Sequence, residues 1–134
     1  MFEEIIANLK KDRPAFLEQF GPKFYGRTLI KHTVSQPFLE FTQAMAMTAS
    51  PKGTIDLVTA WSATDFREDL ARFTVPTLVI HGTGDSTVPI DLSGRRAAAI
   101  IPNAELLEYE GEPHGLTATA PDKLNADLLQ FLAR

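Results

Sequence analysis

The stretch Val75-Pro76-Thr77-Leu78-Val79-Ile80-His81-Gly82-Thr83-Gly84-Asp85-Ser86-Thr87-Val88-Pro89 decides how this sequence is read. Its first part is a short apolar, β-branched run, and its second is rich in glycine and turn residues. A run of that length, apolar at successive positions, fits a strand buried on both faces of a parallel sheet better than a half-solvated strand, which would alternate. Residues 92–101 then supply a helix and Pro102-Asn103 a turn. Ala104-Glu105-Leu106-Leu107-Glu108-Tyr109 supplies a second strand, and a last helix opens near Pro121 with Leu124, Leu128, Leu129, Phe131 and Leu132 on its apolar side. Residues 74–134 therefore read as strand, helix, strand, helix: a βαβ unit with a covering helix. Two parallel strands are too few to bury Leu78-Val79-Ile80, so further sheet is expected from elsewhere.

Working back toward the N-terminus, residues 1–73 read as helical throughout. Phe2, Ile5, Ile6 and Leu9 share one helical face. A second helix carries Phe16, Leu17 and Phe20 and is expected to close at Gly21-Pro22, with residues 23–34 as a connecting loop. Ser35 with Pro37 opens a third helix, expected to be buried around most of its circumference, and Ser50-Pro51 a fourth that carries Trp61. A short helix is expected between Asp65 and Phe73.

Composition narrows the function classes. The chain has 134 residues, 44% apolar and 22% charged, with a net charge of −4 and scattered basic residues, which gives nucleic acid and acidic lipid nothing to bind. There is no cysteine, so disulfides, thiolate nucleophiles and Cys-based metal sites are excluded. His32, His81 and His114 lack metal-ligand spacing, and neither metal nor cofactor is expected. No signal peptide or membrane span is read, and a cytoplasmic protein is the expectation.

In parallel sheets functional groups gather in the loops at the carboxyl ends of the strands. One such loop carries Asp85; the other, Glu110-Gly111-Glu112-Pro113-His114-Gly115, carries His114. A carboxylate that binds one imidazole nitrogen fixes the tautomer and frees the other nitrogen to act as a general base. Taken singly, Gly84-Asp85-Ser86 also fits ordinary turn chemistry, His114 an exposed loop, and His81 a structural residue bonded to the neighbouring loop.

Together, the stretch 76–89 and Pro113-His114-Gly115 resemble the C-terminal half of the α/β-hydrolases, and within them the bacterial aryl esterases also called cofactor-free (non-haem) chloroperoxidases or perhydrolases. Leu9-Lys10-Lys11-Asp12-Arg13-Pro14-Ala15-Phe16, Phe24-Tyr25-Gly26 and Ala63-Thr64-Asp65-Phe66-Arg67 resemble the cap which that family inserts before its last strands. The resemblance implies a partial α/β-hydrolase fold, with 1–73 as helical cap segment and 74–134 as the C-terminal βαβα part of the core. It implies Asp85 as triad acid and His114 as triad base in acyl transfer from small carboxylic esters. With peroxide in place of water the product would be a peracid, able to oxidise halide without haem. Trp61, with Phe38, Phe41, Met45 and Met47, either lines the acyl pocket or is packed core.

The nucleophile elbow of the family, G-x-S-x-G, is not matched at Ser35, Ser50, Ser62, Ser86 or Ser93. Two partners are accordingly expected as alternatives. One is a complementary N-terminal hydrolase segment carrying the serine, upstream of Met1. The other is a second copy of the chain, in an inactive relative that folds by self-association.

Overall fold

The computed structural model describes residues 2–134. It divides into two compact units: the first reaches Pro22 and resumes over Ser35–Asp65, and the second comprises Lys23–Val34 and Phe66–Arg134.

The first unit is helical. Helix α1 (Phe2–Lys11) has Glu3 and Glu4 in its first turn and Lys10 and Lys11 in its last, matching charge to the helix dipole at both ends. Its Leu9 is buried, and α1 lies along α4 (Pro51–Ala63), where Phe2 meets Trp61 edge-on at 4.9 Å. Asp12 caps α2 (Arg13–Phe24) by accepting the Ala15 amide at 3.0 Å. Ser35 and Ser50 do the same for α3 (Gln36–Thr48) and α4, through the amides of Phe38 at 3.2 Å and Gly53 at 3.1 Å. Arg13 closes the other end of α3: its Nη2 donates to the carbonyls of Ala46 (2.8 Å), which also accepts the Ala49 amide (3.3 Å), and of Ala49 (2.9 Å).

Two expectations fail here. Helix α2 does not stop at Gly21-Pro22 but runs through Pro22 to Phe24. A proline removes one N–H bond, which a last turn tolerates, and the helix ends only where Gly26 turns left-handed (φ 62°) with its amide on the Lys23 carbonyl. Helix α3 is not enclosed. Leu39 is its buried residue, while Phe41, Met45 and Met47 are exposed, so its high apolar content does not translate into core within this chain.

In the second unit, α5 (Arg67–Leu70) precedes strand β1 (Thr77–Gly82). The strand begins two residues later than the apolar run, because Pro76 has no amide to donate to a ladder and Val75 is left exposed, and it continues through His81 to Gly82. After a 3-10 turn (Ile90–Leu92), α6 (Gly94–Ile100) carries the chain across to β2 (Ala104–Tyr109), parallel to β1 with Thr77 opposite Ala104 and Gly82 opposite Tyr109. Ile90 and Ile101 are buried beside the crossover. Helix α7 (Leu116–Thr119), absent from the sequence reading, leads to α8 (Pro121–Leu132). Tyr109, 1% exposed, ties β2 to α8 by donating to Asp127 Oδ2 at 2.5 Å under the ammonium of Lys123. Among the described residues the sheet has two strands, and every position of both short of the final Gly82 and Tyr109 retains some exposure. No described helix is long and apolar enough to cross a membrane.

Candidate active site

Because Gly82 and Tyr109 are paired, the loops that follow them start side by side. They are laced together by hydrogen bonds: the Thr83 amide to the Tyr109 carbonyl (2.9 Å), the Gly84 amide to the Glu112 carbonyl (3.0 Å), and the Gly111 amide to the Thr83 side-chain hydroxyl (2.7 Å). The approach is close enough to exclude any side chain at position 82, where a Cβ would sit 2.1 Å from the Glu112 carbonyl oxygen. The second loop is also held from the other side, the Gly115 amide donating to the Phe24 carbonyl at 3.0 Å.

This lacing brings Asp85 and His114 together. Asp85 Oδ1 accepts the amides of Thr87 and Val88, both at 2.8 Å, so the carboxylate is fixed by its own turn. Asp85 Oδ2 accepts His114 Nδ1 at 2.7 Å. An ionised carboxylate only accepts, so the proton of that bond belongs to the imidazole, and a neutral His114 carries it on Nδ1, with Nε2 free as a base. The Asp85 side chain is 2% exposed and that of His114 33%. The acid is sealed while the base can be reached. Burial works to raise the Asp85 carboxyl, but the Val88 amide, the His114 ring and the Thr87 amide outweigh it and hold the group below its ordinary value. The turn chemistry and the pairing with His114 are thus the same structure.

Two residues that sequence reasoning did not place in the site touch it. The Phe24 ring stands edge-on to the His114 ring at 4.6 Å. His81 bonds the neighbouring loop as expected, Nε2 to the Val88 carbonyl at 2.9 Å, but the same nitrogen also lies 3.1 Å from Asp85 Oδ2. The signal for His81 was its place at the end of β1, one turn before the acid; for Phe24 it was only the Phe24-Tyr25-Gly26 likeness to the cap. Trp61 belongs to the first unit, where it is half-exposed against Phe2, so the packed-core reading of Trp61, Phe41 and Met45 does not hold. Ser86 adjoins the acid on an exposed turn. Among the described residues no group of three or more His, Asp or Glu is placed to hold a metal ion.

A strand-loop acid and a strand-loop histidine in this order and contact are the arrangement that the sequence comparison then explains: the profile of the alpha/beta hydrolase fold matches residues 23–121. The chain belongs to the α/β-hydrolase fold family. It is 40% identical over 134 residues to a non-heme chloroperoxidase of Kitasatospora aureofaciens, which takes in 98% of this chain and 49% of that protein. Against a bifunctional esterase/perhydrolase of Acinetobacter calcoaceticus the identity is 35% over 98% of this chain and 48% of that one. The crystal structure of a bromoperoxidase from Bacillus anthracis superposes with a TM-score of 0.93 at 41% identity, covering 99% of this chain and 48% of that chain. This α/β-hydrolase chain spans about half the length of the relatives it matches.

Proposed function

We propose that this chain contributes the acid and the base of a serine-hydrolase acyl transfer on small carboxylic esters. The observation that carries the reading is the 2.7 Å bond from His114 Nδ1 to the buried Asp85 Oδ2, which leaves Nε2 as the basic nitrogen on a partly exposed ring. His114 takes the proton of a serine hydroxyl as that oxygen attacks the ester carbonyl, and returns it to the leaving alcohol. Asp85 holds the tautomer and offsets the charge of the imidazolium. Water then releases the acyl group as a carboxylic acid, or hydrogen peroxide releases it as a peracid. The names of the relatives, chloroperoxidase and esterase/perhydrolase, support both outcomes. The serine is expected on a segment bearing G-x-S-x-G, a pattern these 134 residues do not contain.

The test joins this chain to the half of the Bacillus anthracis bromoperoxidase that it does not match. The chain alone should hydrolyse p-nitrophenyl acetate no faster than free imidazole does. The joined protein should hydrolyse it by way of an acyl-enzyme, and Asp85→Asn should lower kcat by about 10⁴, because the amide stabilises the wrong tautomer. Full activity in His114→Ala, or phosphonate labelling of a serine in this chain, would overturn the assignment.

A second reading, an inactive chain that pairs with its own copy, is favoured by the incomplete cover of the two-stranded sheet and by the exposure of Leu129 and Leu132 on α8. Solution mass decides it: a stable dimer supports self-association, and a stable monomer removes it.

A further inference from the structure

The loop that carries His114 is gripped along three successive residues. Pro113, His114 and Gly115 lie against Gly26, Phe24 and Tyr25, all within the second unit. A Cβ on Gly26 would lie 2.6 Å from that of Pro113, and one on Gly115 would lie 2.4 Å from Tyr25 Cδ1, so neither end of the grip has slack. The Phe24 carbonyl, accepting the Gly115 amide at 3.0 Å, holds the backbone of the loop. The Phe24 ring meets the imidazole itself. His114, Phe24 and Tyr25 form a row of rings, each edge-on to the next, with centroids 4.6 Å and then 4.9 Å apart at interplanar angles of 66° and 73°. Both separations lie at the close end of the range that edge-on aromatic pairs favour.

We propose that Phe24 is a positioning residue for His114: its ring, backed by Tyr25, is the stop that sets the plane of the imidazole and so the direction in which Nε2 points. The bond from Nδ1 to Asp85 Oδ2 ties down one atom of the His114 ring but not its plane, since a hydrogen bond accepts about 30° of misalignment. Any tilt within that freedom carries Nε2 with it. Phenylalanine suits the task because it has no polar atom, and so fixes the plane without competing for the Nδ1 proton or for Nε2. Its value to catalysis rests on the acyl-transfer reading; its grip on the ring does not. Backbone and side chain of residue 24 act on different parts of the loop, and a substitution removes only the second.

Nuclear magnetic resonance on this chain separates positioning of the ring from bracing of the loop. In the unsubstituted chain nuclear Overhauser peaks should join the Phe24 ring protons to those of the His114 ring, and the residual dipolar couplings of the His114 ring C–H bonds should fit one fixed plane. Phe24→Leu keeps the carbonyl and an apolar side chain but lacks a flat ring. In it the His114 ring couplings should shrink as the plane begins to rock, while the backbone couplings of residues 113–115 and the exchange rate of the Gly115 amide stay as they were. Phe24→Tyr keeps the ring and should restore the couplings. Absent Overhauser peaks in the unsubstituted chain, ring couplings that Phe24→Leu leaves unchanged, or ring and backbone couplings that change together overturn the proposal; the first needs no variant to fold. If the joined protein is an esterase, Phe24→Leu should lower its kcat by about 10- to 100-fold with KM unchanged, since a misplacement of about 1 Å can cost about 10²-fold, and Phe24→Tyr should recover it. A raised KM with kcat intact would make Phe24 a wall of the substrate pocket instead and overturn the positioning role. An inactive joined protein with the expected couplings would count against the acyl-transfer reading alone.

Discussion

Replacing Asp85 separates the roles of its two oxygens. In Asp85→Ala three N–H groups lose their acceptor, but not equally. The His114 ring is exposed enough to turn to water, so the amides of Thr87 and Val88 are the two stranded donors. An unsatisfied buried donor costs about 1–3 kcal/mol; allowing for some water entering the vacated space, the loss should be about 2–4 kcal/mol. Asp85→Asn keeps an oxygen for both amides and gives up only the charge-assisted bond to His114, at about 1–2 kcal/mol. The acid side adds a sign. The folded carboxyl lies below its ordinary value, so its contribution is complete above the unfolded value of about 3.9 and is lost as pH falls through the folded one. The gap between the wild-type chain and Asp85→Asn should therefore close on acidification. Urea unfolding followed by circular dichroism at neutral and acid pH measures all three chains. Amide exchange at Thr87 and Val88, faster in Asp85→Ala but not in Asp85→Asn, gives the local reading. Equal losses in the two variants, or a gap that persists in acid, would refute the division of labour between Oδ1 and Oδ2.

Other outcomes follow from the same contacts. Burial first, and then the bond to Asp127, push the Tyr109 phenol up to about 12. The stability it contributes should be complete below its unfolded value of about 10 and fall as pH rises toward the folded one, which alkaline titration of phenolate absorbance with parallel circular dichroism would show. Gly26→Ala forces a side chain into a left-handed residue and puts its Cβ 2.6 Å from that of Pro113. It should cost at least about 1 kcal/mol in urea unfolding and move the His114 ring resonances, since Pro113 precedes that residue. Arg13→Ala uncovers the carbonyls of Ala46 and Ala49 at the end of α3 and should cost about 1–3 kcal/mol, with amide exchange rising in the last turn of that helix and not at Thr87 or Val88.

Where the chain obeys local rules, its sequence could be read. Ser35 and Ser50 announce helix starts because a side-chain oxygen must meet an amide there, and Ala104–Tyr109 is a strand over the span its residues foretold. The errors arise where tertiary contact or its lack decides. Pro22 reads as a stop but costs only one bond near the end of α2, and the apolar residues of α3 read as core though little in this chain covers them. The four residues of α7 are too few for any period to show. The meeting of Asp85 and His114 was legible because the loops that carry them leave neighbouring strand ends. The nearness of His81 to Asp85 was not, since it depends on how the loop after β1 folds back on the strand end.

The contact between Asp85 and His114 is a consequence of strand register. Neighbouring pairs in a strand ladder are about 3.3 Å apart, more than the whole tolerance of a hydrogen bond. A slip of one residue between β1 and β2 would therefore separate Asp85 from His114 and turn every side chain of the slipped strand to the other face. What resists the slip is the tight contact of Gly82 with Glu112, the pinning of Tyr109 to α8 and the paired grip of Arg95 on Glu108 from α6 (2.8 and 2.6 Å). All of these lie within the second unit, as do both members of the pair. On the proposed reading, a serine brought by another segment needs only to place its hydroxyl about 2.6–3.2 Å from His114 Nε2, because the tautomer, the charge and the ring orientation are already set. The demanding half of the triad geometry is then built by a single βαβ unit, and what remains is one oxygen in one place.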